Sequence, residues 1–325
     1  MNIATSFLVL VAETPLFIGL ANYIAPDSLF APNGGVLARV THVRKTSLDT
    51  NRIDPINRVL MMAYGAAMLS IVIMHFLSRD AMSKRSLTRF KLYLAIIQLI
   101  VFVRTAATMD DDESMLNPKI ICFVAGLTVA NTLRMATETI HFNHPESDKM
   151  SRTPVKRAHL LLWGFTFLYL FGWSLIKLFY PETLVQPLLL WNKTLAEDEV
   201  TLDELSIFSS KIEGSYLLAF ATIILDALVL DRSLERVRWQ NLFSIVGFGL
   251  YGTVFVRAAT YDSGYINSIN FIKLAMTNLV VIALTFRYTP KLLPLTHPDP
   301  AEQIAHPQVP KAIEPTLVEE RDKTK

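Results

Sequence analysis

Phe102-Val103-Arg104-Thr105-Ala106-Ala107-Thr108-Met109-Asp110 returns later in the chain as Phe255-Val256-Arg257-Ala258-Ala259-Thr260-Tyr261-Asp262. Each copy closes an apolar run, and each sets an arginine inside what reads as helix at lipid depth. Ionisable groups at that depth are costly and face a protein interior or a cavity. The two segments therefore predict a duplicated chain, with a pair of buried arginines, Arg104 and Arg257, marking a functional site.

Outward from these segments the chain is apolar throughout. Of its 325 residues 51% are hydrophobic, and the mean hydropathy is +0.35. Stretches of roughly 17–25 mainly apolar residues, long enough to cross a bilayer core as helix, fall near 5–25, 59–78, 92–109, 119–141, 158–180, 212–230, 242–260 and 270–288. The expected fold class is all-α, a polytopic membrane bundle of about eight transmembrane helices. The motif copies lie on spans 3 and 7, followed by Met115-Leu116-Asn117-Pro118 and Tyr265-Ile266-Asn267-Ser268, and then by Asn131 and Asn278 on spans 4 and 8. The halves are thus 1–145 and 155–290, and the Pro-rich, charged segment 291–325 reads as a disordered tail. Four spans per half give both halves the same orientation, so the repeat is parallel. It predicts a shared cavity lined by spans 3, 4, 7 and 8.

Lys and Arg are in excess on segments 79–91, 142–157, 231–241 and the tail relative to the alternate segments. The positive-inside rule then puts both termini in the cytosol, with the endoplasmic reticulum as the expected membrane. Arg39, Arg44, Lys45, Arg52 and Arg58 after the first span point the other way. The sequon Asn192-Lys193-Thr194 lies in a segment placed in the lumen, where it could be glycosylated. The start of the chain carries no basic n-region or small-residue cleavage site, so span 1 is expected to be retained. The lone Cys122 excludes an intrachain disulfide and reads as a packing residue.

Two carboxylates stand out within spans. Glu13, in Leu10-Val11-Ala12-Glu13-Thr14-Pro15, has no charged residue within a helical turn. A carboxyl buried without a counter-charge is favoured in its neutral form, the form a general acid needs; alternatively, Glu13 is ionised against Arg104 or Arg257. Asp226, in Ile224-Leu225-Asp226-Ala227, supports the same argument, with Arg134 as its structural partner otherwise. Asn131, Arg134, Glu138 and His141 share one face of span 4, and Arg134 and Glu138 are spaced to pair as i,i+4. Arg104 and Arg257 either bind substrate oxygens or clamp helix ends onto Asp110 and Asp262. Tyr64, Tyr93, Trp163, Tyr169, Trp173, Tyr216, Tyr251 and Tyr261 are either interfacial anchors or cavity walls able to face a carbocation.

The run Asp110-Asp111-Asp112-Glu113 lacks the DDxxD spacing of magnesium-diphosphate sites, and no second such motif occurs. There is no GxGxxG, P-loop, GxSxG, HExxH or CxxC. No metal, cofactor or nucleic-acid partner is expected, and the oligomeric state is open.

With many spans, buried acids, no cofactor motif and the paired FVR-(T)AAT-x-D segments, the chain resembles the fungal membrane-bound terpene cyclases of the ascofuranone/ascochlorin type. Those enzymes cyclise an epoxidised farnesyl chain on an aromatic head. The pyripyropene-type cyclases are shorter, with seven spans, and their acid pair is not carried over. The resemblance implies a prenylated aromatic or other isoprenoid substrate and a cyclisation that needs neither metal nor redox cofactor. Glu13 is then the leading acid and Asp226 its rival, with Arg104, Arg257, Asn131, Asn278, Asp110 and Asp262 on the substrate. The alternatives are a transporter of a small anion or lipid and a non-catalytic membrane scaffold.

Overall fold

The computed structural model describes residues 19–30, 55–78, 81–108, 157–185, 204–229, 234–261 and 267–288, with isolated helical residues between 126 and 137. Residues 19–24 are helical. They are followed by α1 (Pro26–Phe30), α2 (Pro55–Leu77), α3 (Ala81–Thr108), α4 (Arg157–Phe179), a 3₁₀ turn (Pro181–Val185), α5 (Glu204–Val229), α6 (Leu234–Tyr261) and α7 (Ser268–Tyr288). All regular structure among the described residues is helical. They belong to one compact unit, Met1–Thr289.

Six helices, α2 to α7, are long and apolar enough to cross a membrane. They answer to the predicted spans 2, 3, 5, 6, 7 and 8. Predicted spans 1 and 4 fall mainly outside the described residues, as do Cys122, the sequon and the tail. Three helix starts need correction. Span 3 is expected from 92, span 6 from 212 and span 7 from 242, whereas α3 begins at Ala81, α5 at Glu204 and α6 at Leu234. A helix satisfies its own backbone whatever the surrounding solvent, so it continues past the apolar stretch. Lys84, Arg85, Arg89, Arg236 and Arg238, expected in connecting segments, are therefore helical residues.

Proline and asparagine set several helix limits. Helix 19–24 stops where Pro26 offers no N–H for the next bond, and the Ala25 amide closes the last turn on Ala21 O at 2.8 Å. α4 ends two residues before Pro181, as the steric restriction ahead of a proline favours. At the start of α7, Asn267 Oδ1 accepts from the Asn270 amide at 3.3 Å, the N-cap bond. Ser268 Oγ donates to Ala259 O, tying that start to the end of α6.

The bundle is built by crossed partners. α4 packs most extensively on α5, and α6 on α7. α2 packs on α6 and α3 on α5, while α2 and α3, consecutive in sequence, barely touch. α2 and α5 form the centre, with 67% and 72% of their apolar windows buried against 22% in α7. The outer helices turn Ile100, Leu161, Leu168, Ile269 and Phe286 outward, each more than half exposed, as lipid-facing surfaces require. At the centre, Phe243 stacks among Phe220, Phe90 and Trp239 with ring centroids 4.4, 4.7 and 5.1 Å away.

Helix 19–24 lies directly against α2. A Cβ on Gly65 would stand 2.5 Å from Gly19 O and 2.8 Å from Tyr23 Cα, so the obstacle is backbone. Small residues permit such approach between membrane helices. Gly65→Ala is expected to destabilise the bundle by about 1–3 kcal/mol through overpacking. Gly249→Ala, where a Cβ would meet nothing within 4 Å, is expected to be neutral or stabilising, since alanine is the better helix former. Thermal unfolding of the two variants side by side checks the opposite signs.

Candidate functional site

A cavity of about 60 Å³ opens among five helices. Its walls come from the N-terminal halves of α2, α5 and α7 and the C-terminal halves of α4 and α6, as expected of helices alternating in direction. Tyr169, Trp173, Tyr216, Phe220, Phe248, Tyr251, Phe255 and Phe271 supply most of the surface, with Val59, Leu60 and Ala63 from α2. Of the tyrosines and tryptophans that sequence left as anchors or walls, four are walls. The expected lining by spans 3, 4, 7 and 8 is corrected: α3 contributes no lining residue, and spans 2, 5 and 6 do. The reason is the crossed packing, which puts α2 and α5 rather than α3 at the centre.

Gly247 leaves this space open. A Cβ there would stand 3.3 Å from Phe220 Cε1 and 3.5 Å from Tyr216 Oη. Tyr216 itself is fixed by a 2.5 Å hydrogen bond with Ser70 Oγ of α2. The aromatic wall is therefore held in place from the opposite helix.

The polar groups of the cavity are Lys177, Glu213, Tyr251 and Asn278, besides the fixed Tyr216. Lys177 Nζ donates to Glu213 Oε2 at 2.7 Å, with both side chains under a tenth exposed. Gly214 permits that approach, since a Cβ on it would stand 2.9 Å from Lys177 Cβ. Tyr251 faces Glu213 from α6. Asn278, 2% exposed, closes the group from α7. Sequence reasoning missed Glu213 and Lys177. The available signal was two opposite charges, each inside an apolar span, on helices consecutive in the chain.

Asp226 lies elsewhere, and its surroundings differ from the expectation. It is 7% exposed. Arg236 Nη2 donates to Asp226 Oδ2, and Arg89 Nη1 lies 3.8 Å from the same oxygen. Arg134 is not the partner found. The carboxylate is held between α3, α5 and α6, outside the cavity. Two guanidiniums on one carboxylate make a structural clamp, since planar arginine side chains match carboxylate geometry.

The motif arginines are exposed rather than buried. Arg257 donates from Nη1 to Tyr23 O at 3.1 Å and to Ile24 O at 3.3 Å, capping the carbonyl end of helix 19–24. Arg104 lies over the Phe179 ring at 5.9 Å, a cation–π contact. The two motif arginines thus do different work, and neither lines the cavity. Both sit near a helix end, where a long side chain reaches outward while its stem stays on the helix. Of the other expected site residues, Asn278 is in the cavity; Glu13, Asp110, Asn131 and Asp262 lie outside the described residues, and so does Glu138, the expected partner of Arg134.

Comparison with known proteins adds no relative: no family model matches the chain, and no curated protein or solved structure does.

Proposed function

We propose that the chain is an integral membrane terpene cyclase, which protonates an epoxide or alkene of a prenylated substrate and closes its chain into rings, as the resemblance to the ascofuranone type implies. One observation carries this reading: a buried carboxyl, Glu213, meets a wall of aromatic faces in a cavity at membrane depth. Such faces attract a cation forming in the prenyl chain, and the exclusion of water protects it from capture.

Glu213 takes the acid role expected of Glu13 or Asp226. Its partner is a lysine, which exchanges protons, unlike the arginines around Asp226. The Glu213–Lys177 pair gives one proton to the epoxide oxygen. The C–O bond breaks, and the prenyl double bonds close onto the electron-poor carbon. The final cation returns a proton from carbon to the pair, so the reaction is an isomerisation that consumes no acid. Ligand sites for molecules of this size measure roughly 300 Å³ or more. Substrate binding therefore widens the space between these walls.

The crossed contacts of α2 with α6 and α3 with α5 support a repeat of four helices, twice, about an axis along the membrane normal. The distribution of Lys and Arg supports cytosolic termini in the endoplasmic reticulum membrane.

Membranes carrying the protein are expected to convert an epoxyprenyl phenol without added nucleotide or metal. Uptake into vesicles with no product would make it a transporter instead. Gly247→Val, which fills the cavity and leaves Glu213 in place, is expected to lower turnover roughly 10²-fold by displacing the substrate. A scaffold reading also has an observation behind it, since Glu213 and Asp226 are both already paired with basic residues. Absence of both product and uptake would favour it.

A further inference from the structure

Asn278 lines the cavity at 2% exposure, and neither its Oδ1 nor its Nδ2 has a hydrogen-bond partner among the described residues. Tyr251, at 8% exposure, brings its hydroxyl to the same space from α6, beside Glu213. More than nine in ten buried polar groups in folded proteins are bonded, so an amide on a cavity wall with neither polar atom bonded asks for a missing partner. Asn278 packs against α6, where a Cβ on Gly252 would stand 3.9 Å from Asn278 Cβ.

The chemistry of that partner follows from the groups present. An amide offers one acceptor and two donors, and a phenol offers both roles. Together they match a hydroxyl, which itself donates and accepts. The neighbouring charges Lys177 and Glu213 answer each other at 2.7 Å, leaving no net charge for an ion. The remaining walls are aromatic and aliphatic, which suits an unsaturated hydrocarbon chain. A volume of about 60 Å³ exceeds the roughly 10–15 Å³ that one water needs, and takes the polar end of such a molecule.

We infer that Asn278 and Tyr251 form the hydrogen-bonding end of a binding site for an uncharged isoprenoid alcohol or phenol, gripping its hydroxyl group. The inference rests on the proposed function for the place of the ligand, and not on the acid chemistry assigned to Glu213.

The test compares farnesol with the hydrocarbon farnesene on the purified full chain in lipid nanodiscs. Quenching of Trp173, a cavity residue, reports binding, and Trp173→Phe identifies its signal. A site built to bond a hydroxyl rejects the analogue lacking it, so farnesol is expected to bind at least about ten-fold more tightly. Asn278→Leu is expected to bring the two ligands within about two-fold of each other. It removes an unbonded buried amide for an apolar group of similar shape, so its thermal midpoint without ligand is expected to equal or exceed the wild-type value. Should Asn278→Leu fail to fold, Tyr251→Phe, which loses one oxygen, carries the test with a smaller drop in preference. Equal binding of farnesol and farnesene to the wild type overturns the inference, as does a preference left intact in both variants. Hydroxyl preference without turnover would sink the cyclase and leave this site standing; turnover without hydroxyl preference would do the reverse.

Discussion

Glu213→Gln is expected to reduce cyclisation roughly 10²–10⁴-fold, the usual contribution of a positioned general acid, when rates are taken per folded molecule. The normalisation matters, because the substitution leaves Lys177 buried without its carboxylate. Removing one partner of a buried ion pair costs about 3–5 kcal/mol, whereas removing both is often neutral. The double variant Lys177→Met/Glu213→Gln is therefore expected to regain most of the lost stability and none of the lost turnover. Chemical denaturation and product formation, measured on all three variants, separate the two effects. Wild-type turnover in Glu213→Gln would remove this residue from the chemistry.

Asp226→Asn is expected to do the opposite. It leaves Arg236, 3% exposed, with a neutral amide in place of its carboxylate, at a cost of about 3–5 kcal/mol. That is a large share of a protein's total stability, so the folded yield should fall sharply. The molecules that do fold are expected to turn over at the wild-type rate, since the clamp lies outside the cavity. Loss of turnover in well-folded Asp226→Asn would return this residue to the acid role.

Six helices long and apolar enough to cross a membrane were legible because their apolar runs are long, and α2, α4 and α7 begin and end close to the predicted limits. The early starts of α3, α5 and α6 were hidden because hydropathy records the solvent around a helix, not the helix. Asp226 illustrates what periodicity omits. Its partner Arg236 is ten residues on, across a connection that reverses the chain direction, so no helical spacing reveals it. Glu213 and Lys177 were overlooked for a related reason: scrutiny of isolated acids misses a pair divided between two spans. The FVR segments were a weak signal for the site. Their arginines reach outward at helix ends, whereas Asn278, from the same comparison of spans 4 and 8, does line the cavity.

The claim on which the rest depends is that an isoprenoid chain enters the aromatic space between α2, α4, α5, α6 and α7. Photo-crosslinking with a diazirine-bearing epoxyprenyl phenol, followed by peptide mapping of the adducts, tests it most directly. Adducts on wall residues such as Tyr169, Phe220, Phe248 and Phe271, displaced by excess unlabelled substrate, are the expected result. Adducts confined to outward residues such as Leu161, Leu168, Ile269 and Phe286, unaffected by competitor, would contradict it.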